Sequence, residues 1–225
     1  RFIGPYANME VTGTAAIRAP HRLDLRATGD FRLDLVQAFI RDAYATGEAE
    51  LNAAVRGTAS RPLIVGRVDL EDASFNMIGW PAGLSEAQGA ILFTGRQAAL
   101  QNVTGLVGGG KVTLAGNGGY GGPDLSFRIE ARAEQVRVQY PENVSTSMDA
   151  ELSLSGTTDR SLLSGEVTIL DVAFFTHTDV GSILAGAARP TPVPAAEVGV
   201  RAGMRLDIRV VTAPDVQFRT TLAEN

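Results

Sequence analysis

The chain has no cysteine, which excludes disulfide staples and thiol chemistry and suits a reducing or an oxidising compartment equally. Histidine is nearly absent as well. His21 and His177 are the only two, and neither has a carboxylate or thiolate partner at metal-ligand spacing, so no metal and no cofactor are expected. No uninterrupted apolar run approaches the roughly 20 residues that cross a bilayer. A basic stripe is missing too: 20 basic and 25 acidic residues, net charge −5, are scattered in alternation along the chain. That pattern argues against nucleic acid as a partner. No serine sits in a nucleophile-elbow context and the acids occupy the polar phase of alternating segments, so no catalysis is expected.

Two glycine clusters imitate nucleotide-binding motifs. Gly105 to Lys111 has P-loop spacing, but Val112 stands where a metal-binding hydroxyl belongs, and an alternating segment follows instead of a helix. Gly116 to Gly121 matches a dinucleotide fingerprint, yet Pro123 and another alternating segment follow it. Neither is read as a nucleotide site, and the second reads as a glycine-rich hairpin turn.

What the chain does have is apolar content of 44% in strict period-two alternation. Leu125, Phe127, Ile129 and Ala131 share one phase, while Ser126, Arg128, Glu130 and Arg132 share the other, as in a strand with one apolar face. The pattern recurs often enough to predict about a dozen strands, mostly joined by hairpins, with turn signals at Thr28-Gly29-Asp30, Asn117-Gly118, Pro123-Asp124 and Pro141 to Asn143. The expected fold is all-β: an elongated, curved antiparallel sheet forming a groove with a hydrophobic interior. Aromatics make up only 6% of the chain, so that interior is a smooth aliphatic lining. Its candidate residues are Leu23, Leu25, Leu33, Val68, Leu70, Ile91, Phe93, Val112, Leu114, Leu125, Phe127, Ile129, Val136, Val138, Leu152, Leu154, Val167, Ile169, Leu206 and Ile208. One short helix is predicted near 34–45, where Leu35, Val36, Phe39, Ile40, Ala43 and Tyr44 fall at helical spacing. The stretch 179–203, with Pro190, Pro192 and Pro194 among alanines, reads as a flexible loop.

A repeat organises the chain. Ala49-Glu50-Leu51, Gly57-Thr58 and Gly66 to Phe75 return about 99 residues later as Ala150-Glu151-Leu152, Gly156-Thr157 and Gly165 to Phe174. One structural unit is used again, and repetition favours elongation. Arg22 to Arg26 is echoed by Arg205 to Arg209. These marks predict a repeating groove over 1–178, with copies around 48–75 and 149–174, then the loop, then the start of a further β segment at 204–225. Arg1 is no initiator methionine, and the last residues, Thr220 to Asn225, break off in mid-alternation. The expectation is a fragment of a longer protein.

The order of these motifs, from Asp34-Leu35 through Gly47 to Leu51, Arg61-Pro62, Gly66 to Leu70, Gly89 to Phe93 and Gly108-Gly109-Gly110 to the second copy ending at Phe174, resembles the TamB/AsmA-like family. Met204 to Asn225 is similar to the opening of the family's conserved C-terminal region. The resemblance implies a single-layer β-taco in the periplasm of a diderm bacterium, held to the inner membrane by a segment outside this sequence. It implies movement of phospholipids, gripped by their acyl chains, between inner and outer membranes. It further implies partnership with the outer-membrane barrel TamA or a related barrel, and with unfolded outer-membrane proteins, in secretion and outer-membrane biogenesis.

Three readings stay open on the residues alone. The first is a lipid-conducting groove. The second is a chaperone or scaffold that holds unfolded outer-membrane strands by edge pairing. The third is a structural β-sandwich with a closed core.

Overall fold

The computed structural model describes residues 2–4, 6–16, 18, 21–38, 43–77, 82–120, 124–141, 143–176 and 203–222. Alternation at this density leaves the chain one way to bury its apolar phase, which is to lay strands side by side with that phase on one face. The result is a single sheet of twelve strands whose spatial order is their chain order. They are β1 (Phe2–Gly4), β2 (Ala7–Ala15), β3 (Arg22–Arg32), β4 (Ala43–Thr58), β5 (Arg61–Met77) and β6 (Leu84–Gly95), followed by β7 (Gln97–Val107), β8 (Gly110–Gly119), β9 (Ser126–Gln139), β10 (Val144–Thr157), β11 (Ser161–Thr176) and β12 (Met204–Leu222). Neighbours from β1 to β11 pair antiparallel, and β12 lies parallel to β11. The sheet is curved and open. Among the described residues no second layer covers it and no large side chain is fully buried, which removes the sandwich reading.

Register carries the apolar phase across the whole sheet. One row of cross-strand partners runs Met9, Gly29, Leu51, Val68, Ile91, Leu100 on β2 to β7, then Gly116, Ile129, Leu154, Leu163, Leu206 on β8 to β12. Each such pair contributes on the order of 0.2–1 kcal/mol over alanine, so the sheet is held by many weak lateral contacts plus its hydrogen-bond ladders.

Curvature has a visible cause. Register shifts interrupt the pairing of β4 with β5, β5 with β6, β6 with β7, β7 with β8, β9 with β10, and β11 with both its neighbours. Asp72, Glu86, Asn102 and Gln135 take positive φ at these bulges (47°, 50°, 50° and 54°). A bulge bends its strand and increases local twist, so aligned bulges crease the sheet along a line crossing the strands. The residues on the inner side of that crease are small: Gly47 opposite Ala73, then Ala87, Gly105, Val112, Ala133 and Ala150. Ala73, Ala87, Val112 and Ala150 are buried, as are Val68, Val103 and Val136, whereas larger aliphatics farther out, such as Leu152 and Leu154, are half-exposed. The crease is thus a narrow floor with aliphatic walls.

The repeated segment is a hairpin used twice. β4–β5 and β10–β11 share one register at an offset of 99 residues: Ala53 pairs Gly66 as Leu152 pairs Gly165, and Ala45 pairs Phe75 as Val144 pairs Phe174. Their turns use the same chemistry, with the Arg61 N–H donating to Thr58 Oγ1 (3.2 Å) and the Arg160 N–H to Thr157 Oγ1 (3.4 Å). The Ala-Glu-Leu echo sits two residues out of that register, which keeps its side chains on the same faces.

Several expectations are corrected. Thr28-Gly29-Asp30 lies inside β3 and Asn117-Gly118 inside β8, so neither is a turn. Among the described residues the predicted helix is a 3-10 turn over Leu33–Ala38, Phe39 and Ile40 lie outside them, and Ala43 and Tyr44 are already strand. Alanine and tyrosine gain more there by pairing with Met77 and Asn76 on β5 than from an isolated helix of a few turns. Gly108-Gly109 forms the turn between β7 and β8, whereas Gly116 to Gly119, where a glycine-rich turn is expected, is strand. Residues 177–202, nearly all of the expected loop, lie outside the described residues.

Candidate functional site

The uncovered apolar face is the feature that stands out. Eighteen of the twenty predicted lining residues share it by register: Leu23 and Leu25 on β3, Val68 and Leu70 on β5, Ile91 and Phe93 on β6, and Val112 and Leu114 on β8. On β9 to β12 they are Phe127, Ile129, Val136, Val138, Leu152, Leu154, Val167, Ile169, Leu206 and Ile208. The other two lie outside the strands. Leu33 lies in the 3-10 turn, and Leu125 precedes β9, where its carbonyl accepts the Thr158 N–H at 3.2 Å. The same face gains Met9, Val11, Phe31, Leu51, Val55, Leu100, Val103 and Leu163. Their alternation was readable in the sequence, but alanine and glycine partners shorten the apolar runs around them.

Glycines on this face let neighbouring strands close up. Gly165 has φ of +140°, and a Cβ placed there would lie 2.9 Å from the Cα of Leu152 and closer still to the Glu151 carbonyl oxygen. Only glycine occupies that region without strain, so Gly165 and its repeat counterpart Gly66 mark points where tight lateral approach bends the sheet. Phe93 packs edge-on to Tyr120, with ring centroids 6.3 Å apart. The Tyr120 hydroxyl donates to the Gly95 carbonyl at 2.7 Å, and burial pushes its pKa above the usual phenol value.

The opposite face is polar and self-compensating. Arg67 pairs with Asp69 at 2.6 Å, Arg132 with Glu151, Arg209 with Glu166 at 3.6 Å and Arg219 with Asp171 at 3.3 Å. The hydrogen bond from Arg67 holds the Asp69 carboxyl below the usual range, and Glu151 raises Arg132 in the same way. Solvent screens exposed pairs of this kind, so they serve solubility more than stability.

The two long margins of the sheet differ. Hairpin turns at one margin join β2–β3, β4–β5, β6–β7, β8–β9 and β10–β11, and β12 begins there. This margin carries Arg18, Arg22, Arg56, Arg61, Arg96, Arg128, Arg160 and Arg205 against Asp24, Asp124, Asp159 and Asp207. Arg56 pairs with Asp24 at 3.5 Å, while Arg61, Arg96, Arg128 and Arg160 are exposed and form no ion pair among the described residues. The other margin has the exposed aromatics Tyr6, Tyr44, Phe75, Tyr140, Phe174 and Phe175, and acids prevail in its half of the sheet, among them Glu48, Glu71, Asp72, Glu86 and Glu134.

An aliphatic face, creased and left uncovered by the described residues, can take up extended apolar matter. Among the described residues no group of histidines and carboxylates is arranged to hold a metal, and no helix is long and apolar enough to cross a membrane. No curated protein and no solved structure matches the chain. The model of one family, the TamB C-terminal domain, matches residues 101–224, which takes in most of β7 and all of β8 to β12. On that match, which covers more than half of the sequence, the chain belongs to the TamB family, whose members act in outer-membrane assembly.

Proposed function

We propose that this sheet is a segment of a periplasmic trough that conducts phospholipids between inner and outer membranes by their acyl chains. The family is a non-enzymatic assembly and transport module, periplasmic and anchored in the inner membrane, and it works with the TamA barrel in the translocation and assembly module. The observation that carries the lipid reading is the row from Met9 to Leu206, an apolar ladder crossing eleven strands with none of the described residues over it. Burying an acyl chain recovers about 0.8 kcal/mol per methylene, so a chain of about 16 carbons left in water costs on the order of 12 kcal/mol. A lining of leucine, valine, isoleucine and alanine removes most of that cost at every step. Because successive rows are alike, a sliding chain meets neither a deep well nor a high barrier.

Leu206→Arg in the full-length protein tests this. Leu206 is 68% exposed, so the variant folds, while a charge on the wall is costly for an acyl chain to pass. The expected result is loss of lipid transfer with an unchanged melting curve. Normal transfer by a stably folded variant overturns the proposal.

A second reading has its own observation. β12 has a partner strand on one side only among the described residues, and Leu206 and Val210 (60%) are the most exposed aliphatics on it. Such an edge can add a strand from an unfolded outer-membrane protein. Photocrosslinkers at Ile129 and Leu154 separate the two: lipid adducts support conduction, and adducts to barrel-protein peptides support chaperoning.

A further inference from the structure

We infer that β12 is a self-association edge: two copies of this chain join antiparallel through Met204–Thr212 about a two-fold axis at Ile208, fusing their apolar faces into one. This goes beyond the trough reading and does not depend on it.

Among the described residues β12 has a partner strand on the β11 side only. Open sheet edges are ordinarily blunted by proline, bulges or a covering segment. On β12 such a guard is confined to one half. Met204 to Thr212 pair with Ser161 to Ile169 as nine successive partners without a shift, and the irregular stretch that holds Pro214 begins only after Thr212. The regular half is longer than an average strand.

Its sequence is complementary to itself. A two-fold pair sets residue i against j and j against i, so an antiparallel pair centred on Ile208 places Asp207 opposite Arg209 twice on the polar face. The same register places Leu206 opposite Val210 twice on the apolar face, and Met204 opposite Thr212 at the two limits of the regular half. Leu206 and Val210 are 68% and 60% exposed for want of a neighbour on the open side. Asp207 has no ion pair among the described residues, and Arg209, 3.6 Å from Glu166, keeps its side chain 77% exposed. Moving the centre to Asp207 sets that acid against itself and Arg205 against Arg209, and moving it to Arg209 sets arginine against arginine. Like charges directly opposite are unfavourable.

A two-fold axis normal to the sheet keeps both apolar faces on one side. Leu206, Ile208 and Val210 of the two copies then form one lining across the joint. A strand of unrelated sequence gains ladder hydrogen bonds from this edge but neither set of side-chain pairs, which favours a second copy over an unfolded client.

Sedimentation of the chain between about 1 and 100 μM, a range suited to an interface this short, should show a rise from 23.7 kDa to twice that mass. Asp207→Arg, at an exposed position, should weaken association about tenfold with an unchanged melting curve. The chain has no cysteine, so single cysteines report the register directly. Residues directly opposite have Cα atoms about 4.5–5.5 Å apart, within disulfide reach. On oxidation Ile208→Cys should link to itself, and Leu206→Cys mixed with Val210→Cys should link to each other. Leu206→Cys alone should stay unlinked, its two copies being about 13 Å apart at the usual rise per residue. A chain that remains a monomer throughout the range overturns the proposal. So does a dimer that ignores Asp207→Arg and leaves Ile208→Cys unlinked, which places the contact elsewhere. Self-linking of Leu206→Cys as readily as Ile208→Cys overturns the register. Linking of Ile208→Cys to an added cysteine-bearing peptide from an unfolded barrel protein, but never to itself, assigns the edge to a client strand and also overturns the proposal.

Discussion

Replacing Gly165 by alanine should damage the fold far more than its single methyl suggests. The backbone at this position has φ of +140°, a region that costs a side-chain-bearing residue on the order of 1–3 kcal/mol. The added Cβ would also stand 2.9 Å from the Leu152 Cα and nearer still to the Glu151 carbonyl, so β10 must move aside, an overpacking that typically costs about 1–3 kcal/mol more. The expected total is about 4 kcal/mol. At roughly 2–4 °C per kcal/mol for a chain of this size, melting should fall by about 8–16 °C. Gly109→Ala is the control, because Gly109 also has positive φ, 82°, but open space where the Cβ would go. It should cost only the backbone term, about 1–2 kcal/mol. Gly66→Ala, at the equivalent hairpin position, should match Gly165→Ala, since a Cβ there meets Asn52 and Ala53. Circular dichroism melts of the three variants measure the difference. If Gly165→Ala melts no lower than Gly109→Ala, close strand approach at the glycine is not what bends this sheet.

Two further changes probe local features. Tyr120→Phe removes the hydroxyl that donates to Gly95 and should cost about 1 kcal/mol at neutral pH. Because the folded-state pKa of Tyr120 is raised by burial, the unaltered chain loses stability as pH rises above the unfolded value of about 10, and alkaline melts of the phenylalanine variant should lack that component. Gln135→Gly relieves a positive φ of 54° while keeping the backbone N–H that donates to Asp149 Oδ1 at 2.7 Å. The gain of about 1–2 kcal/mol exceeds the entropy cost of glycine, about 0.5–1 kcal/mol, so a small rise in melting temperature is expected, and a fall would refute the bulge assignment.

The alternation made the strands and their apolar face legible, because period two is imposed by strand geometry itself and survives any arrangement of the sheet. Leu33 and Leu125 have the right phase but lie in the 3-10 turn and just before β9, because phase carries no information about where a strand begins. The bulges at Asp72, Glu86, Asn102 and Gln135 were hidden because one extra polar residue among polar residues leaves the pattern nearly intact. Gly29 and Gly118 imitate turn residues, since glycine beside Asp or Asn is ordinary turn chemistry. Their role here is close approach, which depends on what lies on the next strand. The parallel pairing of β12 with β11 was likewise out of reach, as alternation is blind to strand direction. The charges seemed scattered in the linear chain, and no stripe was visible, yet stacking the hairpins sets arginines from distant turns side by side.

Chain order that equals spatial order makes the sheet a ruler. At about 4.8 Å per strand, twelve strands measure roughly 53 Å along the sheet, and each added hairpin lengthens it by about 9.6 Å without altering its cross-section. A lone extra strand would reverse the direction of every antiparallel strand after it and exchange the two borders downstream. Growth of such a molecule is therefore quantised in hairpins, and the parallel step from β11 to β12 is the one place among the described strands where that parity changes.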